Sequence, residues 1–328
     1  MGPYISRGFV STKQIFRHIQ SLNLPENKTE KLIQELAWRD YWQQVWIEKG
    51  DEIKSDLKNT QTPLSNREMP LAILEGTTGI DEVDQAIDEL KSSGYMHNHM
   101  RMYVASICCN LAQSHWLNPA KWMYSELLDG DLASNFLSWQ WVAGSFSNKK
   151  YYANQENINR FFFSEQQKTF LDVDYADFEN NFIPTELQKT APFQLETLLP
   201  NNENPGLDKD RTTLIYNYYN IDPHWHEGEQ FQRVFLLEPS FFKEYPVSQK
   251  CIDFAIKLTE NIAGMKIYVG EYNQLREELS EEHLVYKEHP TNKHYRGKEE
   301  PRDWMFEVKG YFPSFFAFWK QCKKEIWQ

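Results

Sequence analysis

"DGDLASNFLSWQW", residues 129–141, places two acids, two amides and two tryptophans in thirteen positions. If Asp131 caps a helix, then Asp131, Asn135 and Trp139 fall at i, i+4 and i+8 on one face, while Ser134, Ser138 and Trp141 line a neighbouring one. The two tryptophans therefore point in different directions. Two readings stay open on spacing alone. In the first, Asp131 is only a cap, Asn135 a satisfied buried amide, Gln140 a solvated one, and both rings are core. In the second, each face is the wall of a separate binding site.

The preceding stretch, "SGYMHNHMRMYVAS" at 93–106, bears on the choice. Asn98, Arg101, Met102 and Ala105 form one stripe of its helix, and a buried Arg needs an acid partner. Asp129 is the natural candidate. In "ELAWRDYW", residues 35–42, Trp38 and Arg39 lie at i+3 and i+4 from Glu35. Around these pieces the pattern is helical. Ser11 with Gln14 makes a capping box, and Leu32, Ile33, Leu36, Ala37, Tyr41 and Val45 recur at helical spacing to about Trp46. Residues 50–80 are polar and loop-like. Helices follow at 81–93 with Gly94 as the stop, at 97–115, at 119–128, and from Asp131 onward.

The chain has 328 residues, 41% of them hydrophobic, which is enough for a large core or two ordinary ones. No apolar run approaches the roughly 18–20 residues of a membrane span, and no signal segment opens the chain, so a cytoplasmic protein is expected. Cys108, Cys109, Cys251 and Cys322 lack paired C-x-x-C spacing, which points to reduced, buried thiols and to neither zinc nor an iron-sulfur cluster. The net charge of −12 argues against indiscriminate nucleic-acid binding while leaving room for a local basic cleft. Aromatic residues reach 15%, with seven of eleven tryptophans before residue 142, a density that suits a large core or a site that stacks planar ligands.

"LPNNENPGLDKDRTT", residues 199–213, gathers Pro, Asn, Gly and charge and is the expected linker. Beyond it the period changes. "TLIYNYYNI", "RVFLLE", "MKIYVG" and "HLVYKE" are predicted strands, with a helix over 248–262, which together suggest a small α/β domain with a partly parallel sheet. The predicted organisation is a helical domain at 1–195, a linker at 196–211 and an α/β domain of open role at 212–328. "DPHWHE" sets His224 and His226 at i, i+2, which without a third ligand predicts a polar turn and no metal.

With these motifs in hand, the sequence resembles the flavin-binding helical domain of the photolyase/cryptochrome family. "GPYISRGFVS", "ELAWRDYW", "TGIDEVDQAIDEL", "GYMHNHMRM", Trp116 and "DGDLASNFLSWQWVAG" follow that family's motifs in order and at its separations, over residues 3 to about 145. The resemblance implies a mainly α fold that holds FAD in a U shape. It implies that Arg39, Asn98, Arg101, Asp129, Asp131 and Asn135 line the cofactor, with Asn135 facing the flavin's nitrogen-5. Trp139 and Trp116 would be the first and second steps of a buried electron relay. In the family's repair enzymes, light drives one electron from reduced flavin to a flipped-out pyrimidine dimer, which splits and returns it. Glu35, Trp38, His99, Met102 and Trp141 would then contact the damaged DNA, single- or double-stranded. Met102 stands where animal (6-4) photolyases carry a histidine, which leans toward cyclobutane dimers. The alternative is a cryptochrome-like light or redox sensor with a protein partner and no repair.

The chain departs from the family pattern in four places. The phosphate-holding Thr-Ser-Arg-Leu-Ser segment is expected immediately before Pro3, hence upstream of Met1 with Gly2 at its final serine, unless FAD is held without it. His99 replaces an arginine. The relay's outer ring is expected within about residues 60–70, and no Trp or Tyr occurs between Ile53 and Ile80, so Trp42 or Trp122 would have to serve. "NKKYYANQENINRF", residues 148–161, replaces the common tail and offers Lys149, Lys150 and Arg160 to a phosphate backbone. The α/β antenna domain that usually precedes the helices is not seen there, and the domain after residue 212 is its permuted or independent counterpart in this reading, with the antenna pigment left open.

Overall fold

The structure is a computed structural model describing residues 1–180, 182–201 and 205–326. Along the chain run α1 (Thr12–Ser21), α2 (Glu26–Lys49), α3 (Asp81–Ser93), α4 (Asn98–Ser106), α5 (Leu117–Glu126), α6 (Leu132–Ala143) and α7 (Gln155–Phe162). Then come β1 (Thr213–Tyr216), β2 (Gln232–Leu237), α8 (Gln249–Thr259), β3 (Met265–Val269), α9 (Tyr272–Glu278), β4 (Leu284–Lys287), β5 (Lys298–Glu300) and α10 (Phe315–Ile326). Two compact units result, one of residues 1–50 with 196–328 and the other of residues 51–195. Part of the expected linker, residues 202–204, lies outside the described residues.

In the first unit the five strands run in the order β3-β2-β1-β4-β5, every neighbouring pair parallel. The sheet is thus wholly parallel rather than partly so. β1 and β2 are buried throughout, as central strands of such a sheet must be. β5 escaped the sequence reading because its residues, Lys-Glu-Glu, carry no apolar signal. β1 is shorter than "TLIYNYYNI" suggests, because Asn217 and Asn220 exchange backbone hydrogen bonds in a turn and Asn217 Nδ2 donates to Asn292 Oδ1 at 2.7 Å.

The N-terminal helices belong to this unit because their buried faces meet its C-terminal segments. Trp38 on α2 stacks on Phe315 of α10 with centroids 3.6 Å apart. Asp40, 3% exposed, accepts from the Thr12 hydroxyl and the Met305 amide. Its burial, above all, raises its carboxyl pKa. Arg7, fully buried, lies 3.7 Å from the Tyr218 ring centroid, and its carbonyl accepts from Ile221 N–H. Gly8 follows at φ +67°, where an added Cβ would sit 2.5 Å from the Tyr219 carbonyl, so only glycine fits.

The second unit is helical, with α3 on α4, α4 on α6 and α5 on α6. Ser11 and Gln14 form the expected capping box in the other unit, and here Gly94 ends α3 in the left-handed conformation. The single helix expected over 97–115 instead widens into a π-helix at Ile107–Leu111. There Asn110 Nδ2 donates to the carbonyls of Val142 and Tyr151. The polar stretch after residue 50 holds a helix at Leu71–Glu75 and an antiparallel strand pair, Met69–Pro70 with Thr190–Ala191, so this half is not all-helical. No helix among the described residues is long and apolar enough to cross a membrane.

His224 and His226 lie in a turn and are spent on carboxylates, and among the described residues no cluster of three or more His, Cys, Asp or Glu can hold a metal. His226 Nδ1 meets Glu229 at 2.7 Å and its Nε2 meets Glu300 at 3.0 Å. Burial pulls its pKa down, but these two bonds outweigh it and the net shift is upward from 6.5. Glu300 moves the other way, to about 2, since the bonds from Lys298, Trp225 and His226 overcome its desolvation. A raised His pKa adds stability that is full below the unfolded value and fades as pH rises through the folded one. A lowered carboxylate pKa adds stability that fades as pH falls through the folded value. The urea midpoint of the wild type should therefore exceed that of His226→Gln at pH 5.5, and the gap should narrow at pH 8.5. An equal gap at both values would contradict the charged pairing.

Candidate functional site

An ion pair ties the turn before α6 to α4. Arg101 Nη2 on α4 donates to both carboxylate oxygens of Asp129 at 3.0 Å, and its Nε donates to the Met96 carbonyl at 2.8 Å. Each partner side chain is 23% exposed, so the pair is only partly desolvated. Two residues on, Asp131 caps α6 through a 2.8 Å bond from Ser134 N–H. One turn later, Asn135 Nδ2 donates to the Ala120 carbonyl at 2.7 Å.

Those bonds leave capacity unspent. Arg101 Nη1 donates to none of the described residues, Asn135 Oδ1 accepts from none, and the exposed Asn98 makes no side-chain hydrogen bond. All three belong to the packed pair α4 and α6. Polar groups with open valences, two of them half-buried, are what a planar ligand edged by donors and acceptors requires.

Further along α6, three consecutive residues go three ways. Trp139 is buried, Trp141 is 40% exposed with its ring 5.7 Å from that of Tyr151, and Gln140 between them is fully buried. The solvated reading of Gln140 is overturned. Its Nε2 donates to the Ile53 carbonyl at 2.8 Å and its Oε1 accepts from Leu57 N–H at 3.1 Å, which clamps residues 53–57 to the helix. The clamp is invisible in sequence because its partners are backbone groups more than eighty residues away.

That clamped segment and the residues just after it supply two residues missed from sequence. Asp56 Oδ1 accepts from the indole Nε1 of Trp116 at 2.8 Å, and Gln61 Oε1 accepts from Trp116 N–H at 3.0 Å. Trp116 is 0% exposed. Trp122 is also buried.

The remaining expected residues are placed as follows. Glu35, exposed, pairs with Lys31 at 2.9 Å on the same helix face. Trp38 and Arg39 are half-buried in the first unit, with Trp42 5.2 Å from Trp38 and one face of Trp38 covered by Phe315. In the second unit, Met102 is half-buried and the His99 ring lies 4.7 Å from Phe161, over which Arg160 is placed. Lys149 is exposed and Lys150 half-buried.

Two substitutions test this framework by chemical denaturation. Gln140→Leu strands a buried N–H and a buried C=O, and should lower the unfolding free energy by about 1–3 kcal/mol. Asp129→Asn keeps shape but removes charge and should cost about 1–2 kcal/mol, the partial exposure holding it below a fully buried pair. Midpoints equal to wild type would show that neither bond supports the fold.

The protein-family model "FAD binding domain of DNA photolyase" matches residues 32–214, more than half of the chain. The deoxyribodipyrimidine photo-lyase of Streptomyces griseus is 37% identical over 117 residues, 35% of this chain and 26% of that protein. The chloroplastic/mitochondrial cryptochrome DASH of Ostreococcus tauri is 29% identical over 223 residues, 66% of this chain and 38% of that one. The matched part thus spans about a quarter to two fifths of these relatives' own length. Among solved structures, a Synechocystis cryptochrome aligns at 27% identity with a TM-score of 0.45, over 49% of this chain and 35% of the other. Through the matched domain, the chain belongs to the photolyase/cryptochrome family and carries its FAD-binding domain.

Proposed function

We propose that this chain is a light-driven electron-transfer flavoprotein that repairs pyrimidine dimers in DNA. One observation carries the reading: Arg101 Nη1 and Asn135 Oδ1, a donor and an acceptor on packed helices, are left open beside the Arg101–Asp129 pair. They fit the alternating donors and acceptors along the edge of a flavin ring. FAD, when bound, supplies the one-electron donor that light excites. The chain's own residues do the rest. Arg101, its charge balanced by Asp129, would hold the ring's polar edge. Asn135 would present a neutral amide oxygen, oriented by its bond to Ala120. Asn98 would close the polar rim and Asp131 would fix the helix that carries Asn135.

On the substrate side, the exposed ring of Trp141 and the half-buried Met102 offer a stacking surface. Base stacking contributes on the order of 1–3 kcal/mol, enough to offset part of the few kcal/mol that flipping a base costs. His99, half-buried on the same unit, would add a further contact to DNA.

A cryptochrome-like sensor without repair is the second reading, favoured by Trp38, whose face is already covered by Phe315 at 3.6 Å. The two separate under illumination of the reduced protein with dimer-containing DNA, single- and double-stranded. Repair predicts a falling dimer count, and Trp141→Ala should slow the fall at least severalfold while leaving bound flavin unchanged. A light-altered flavin spectrum with a constant dimer count would select the sensor. Asn135→Ala should shift the reduction potential of the bound flavin, measured by dye-linked titration, and an unshifted potential would remove Asn135 from the ring's edge.

A further inference from the structure

The segment that lacks an outer aromatic ring delivers a carboxylate to Trp116 instead. Asp56 Oδ1 lies 2.8 Å from the Trp116 indole nitrogen, and its Oδ2 accepts from Gln61 N–H at 2.9 Å. The indole is 0% exposed, whereas the Asp56 side chain retains 18% exposure. The hydrogen bond therefore leads from a sealed ring to a group that reaches solvent.

A neutral indole N–H needs no carboxylate. A backbone carbonyl satisfies it at lower desolvation cost, and Gln61 spends its own amide on such carbonyls, those of Ser114 and Cys109. A carboxylate becomes useful when the indole turns acidic, which happens when it loses an electron. His115 stacks on Trp116 with centroids 5.6 Å apart, and its Nε2 lies 3.8 Å from Asp56. Burial, chiefly, lowers the His115 pKa, so at neutral pH it brings no full charge to hold the carboxylate.

We infer that Asp56 is the proton acceptor that ends an electron relay at Trp116. The inference rests on the light-driven reading and deepens it. When a one-electron oxidant, in that reading the hole arriving from Trp139, takes an electron from Trp116, the Nε1–H bond breaks. The proton passes to Asp56 Oδ1, and a neutral indolyl radical and a carboxylic acid result. An electron from a soluble thiol or ascorbate, with the proton returned from Asp56, restores both groups. Loss of the proton removes the positive charge that would drive the hole back, so a third ring is not needed to delay recombination. A positioned base within hydrogen-bond reach accelerates such a transfer by roughly two to four orders of magnitude.

The test uses the full chain as purified and two flashes. An ultraviolet laser flash photoionises tryptophans directly, whether or not flavin is bound, and transient absorption separates cation radicals from neutral indolyl radicals. The wild type should show a prompt neutral fraction that Trp116→Phe lowers, the remainder coming from Trp225, whose indole donates to Glu300 at 2.9 Å. Asp56→Asn, which keeps an acceptor oxygen but cannot take the proton, should delay the Trp116 share by roughly two orders of magnitude. Asp56→Glu should restore it, and heavy water should slow it. An unchanged prompt fraction in Asp56→Asn or in Trp116→Phe overturns the proposal. Should Asp56→Asn fail to fold, the Trp116→Phe comparison and the heavy-water effect in wild type decide the matter. A blue flash on the oxidised flavin then tests separately whether light feeds the relay. If it yields no tryptophan radical while the ultraviolet result holds, light does not feed the relay, the proton-accepting role of Asp56 stands, and repair is decided by the dimer count alone.

Discussion

The helical unit depends on the ion pair of Arg101 and Asp129. A charge on α4 and a charge in the turn before α6 meet at 3.0 Å, and that contact ties the start of α6 to α4. From there the rest follows in sequence order. Asp131 takes the capping bond, Asn135 is turned to Ala120, and Trp139, Gln140 and Trp141 leave the helix in three directions. Removing the acid would leave a guanidinium partly out of water with no counter-charge, the costly half of a broken pair. The site is therefore built on an electrostatic constraint that a hydrophobic replacement would satisfy in energy but not in direction.

A second constraint is the buried amide of Gln140. It holds residues 53–57 by two backbone hydrogen bonds, and those residues carry Asp56 to Trp116. The same helix thus serves a polar rim on one face and, through a neighbour in sequence, fixes the environment of a buried indole. The π-helical turn at Ile107–Leu111 belongs to this arrangement, since Asn110 reaches from it to the carbonyls of Val142 and Tyr151. Irregular helix geometry here coincides with a polar side chain crossing to a neighbouring element.

The first unit follows a different logic. Its sheet is a hydrophobic layer of parallel strands, and its edge at β5 is held by charge, with Glu300 gathering Lys298, Trp225 and His226. The central strands were legible as apolar β-rich runs. The edge strand was not, because an edge strand needs neither burial nor an alternating pattern. Arg7 and Gly8 illustrate the other limit. Their motif was recognisable, but that the arginine lies on Tyr218 and that the glycine admits the Tyr219 carbonyl depends on residues about 210 positions later.

What the sequence determined by itself was local and periodic: the capping box at Ser11, the stop at Gly94, the cap at Asp131, the faces of α6, and the family to which residues 32–214 belong. These depend on backbone geometry within one or two turns, or on an ordered series of motifs. The tertiary structure decided which polar groups remain unspent and which are consumed. Gln140 is a clamp rather than a solvated amide, Trp38 has a covered face, and Trp116 has an acid partner. Hydrogen-bond satisfaction is a property of the folded neighbourhood, and a partner sixty or more residues away leaves no spacing in the sequence to find it by.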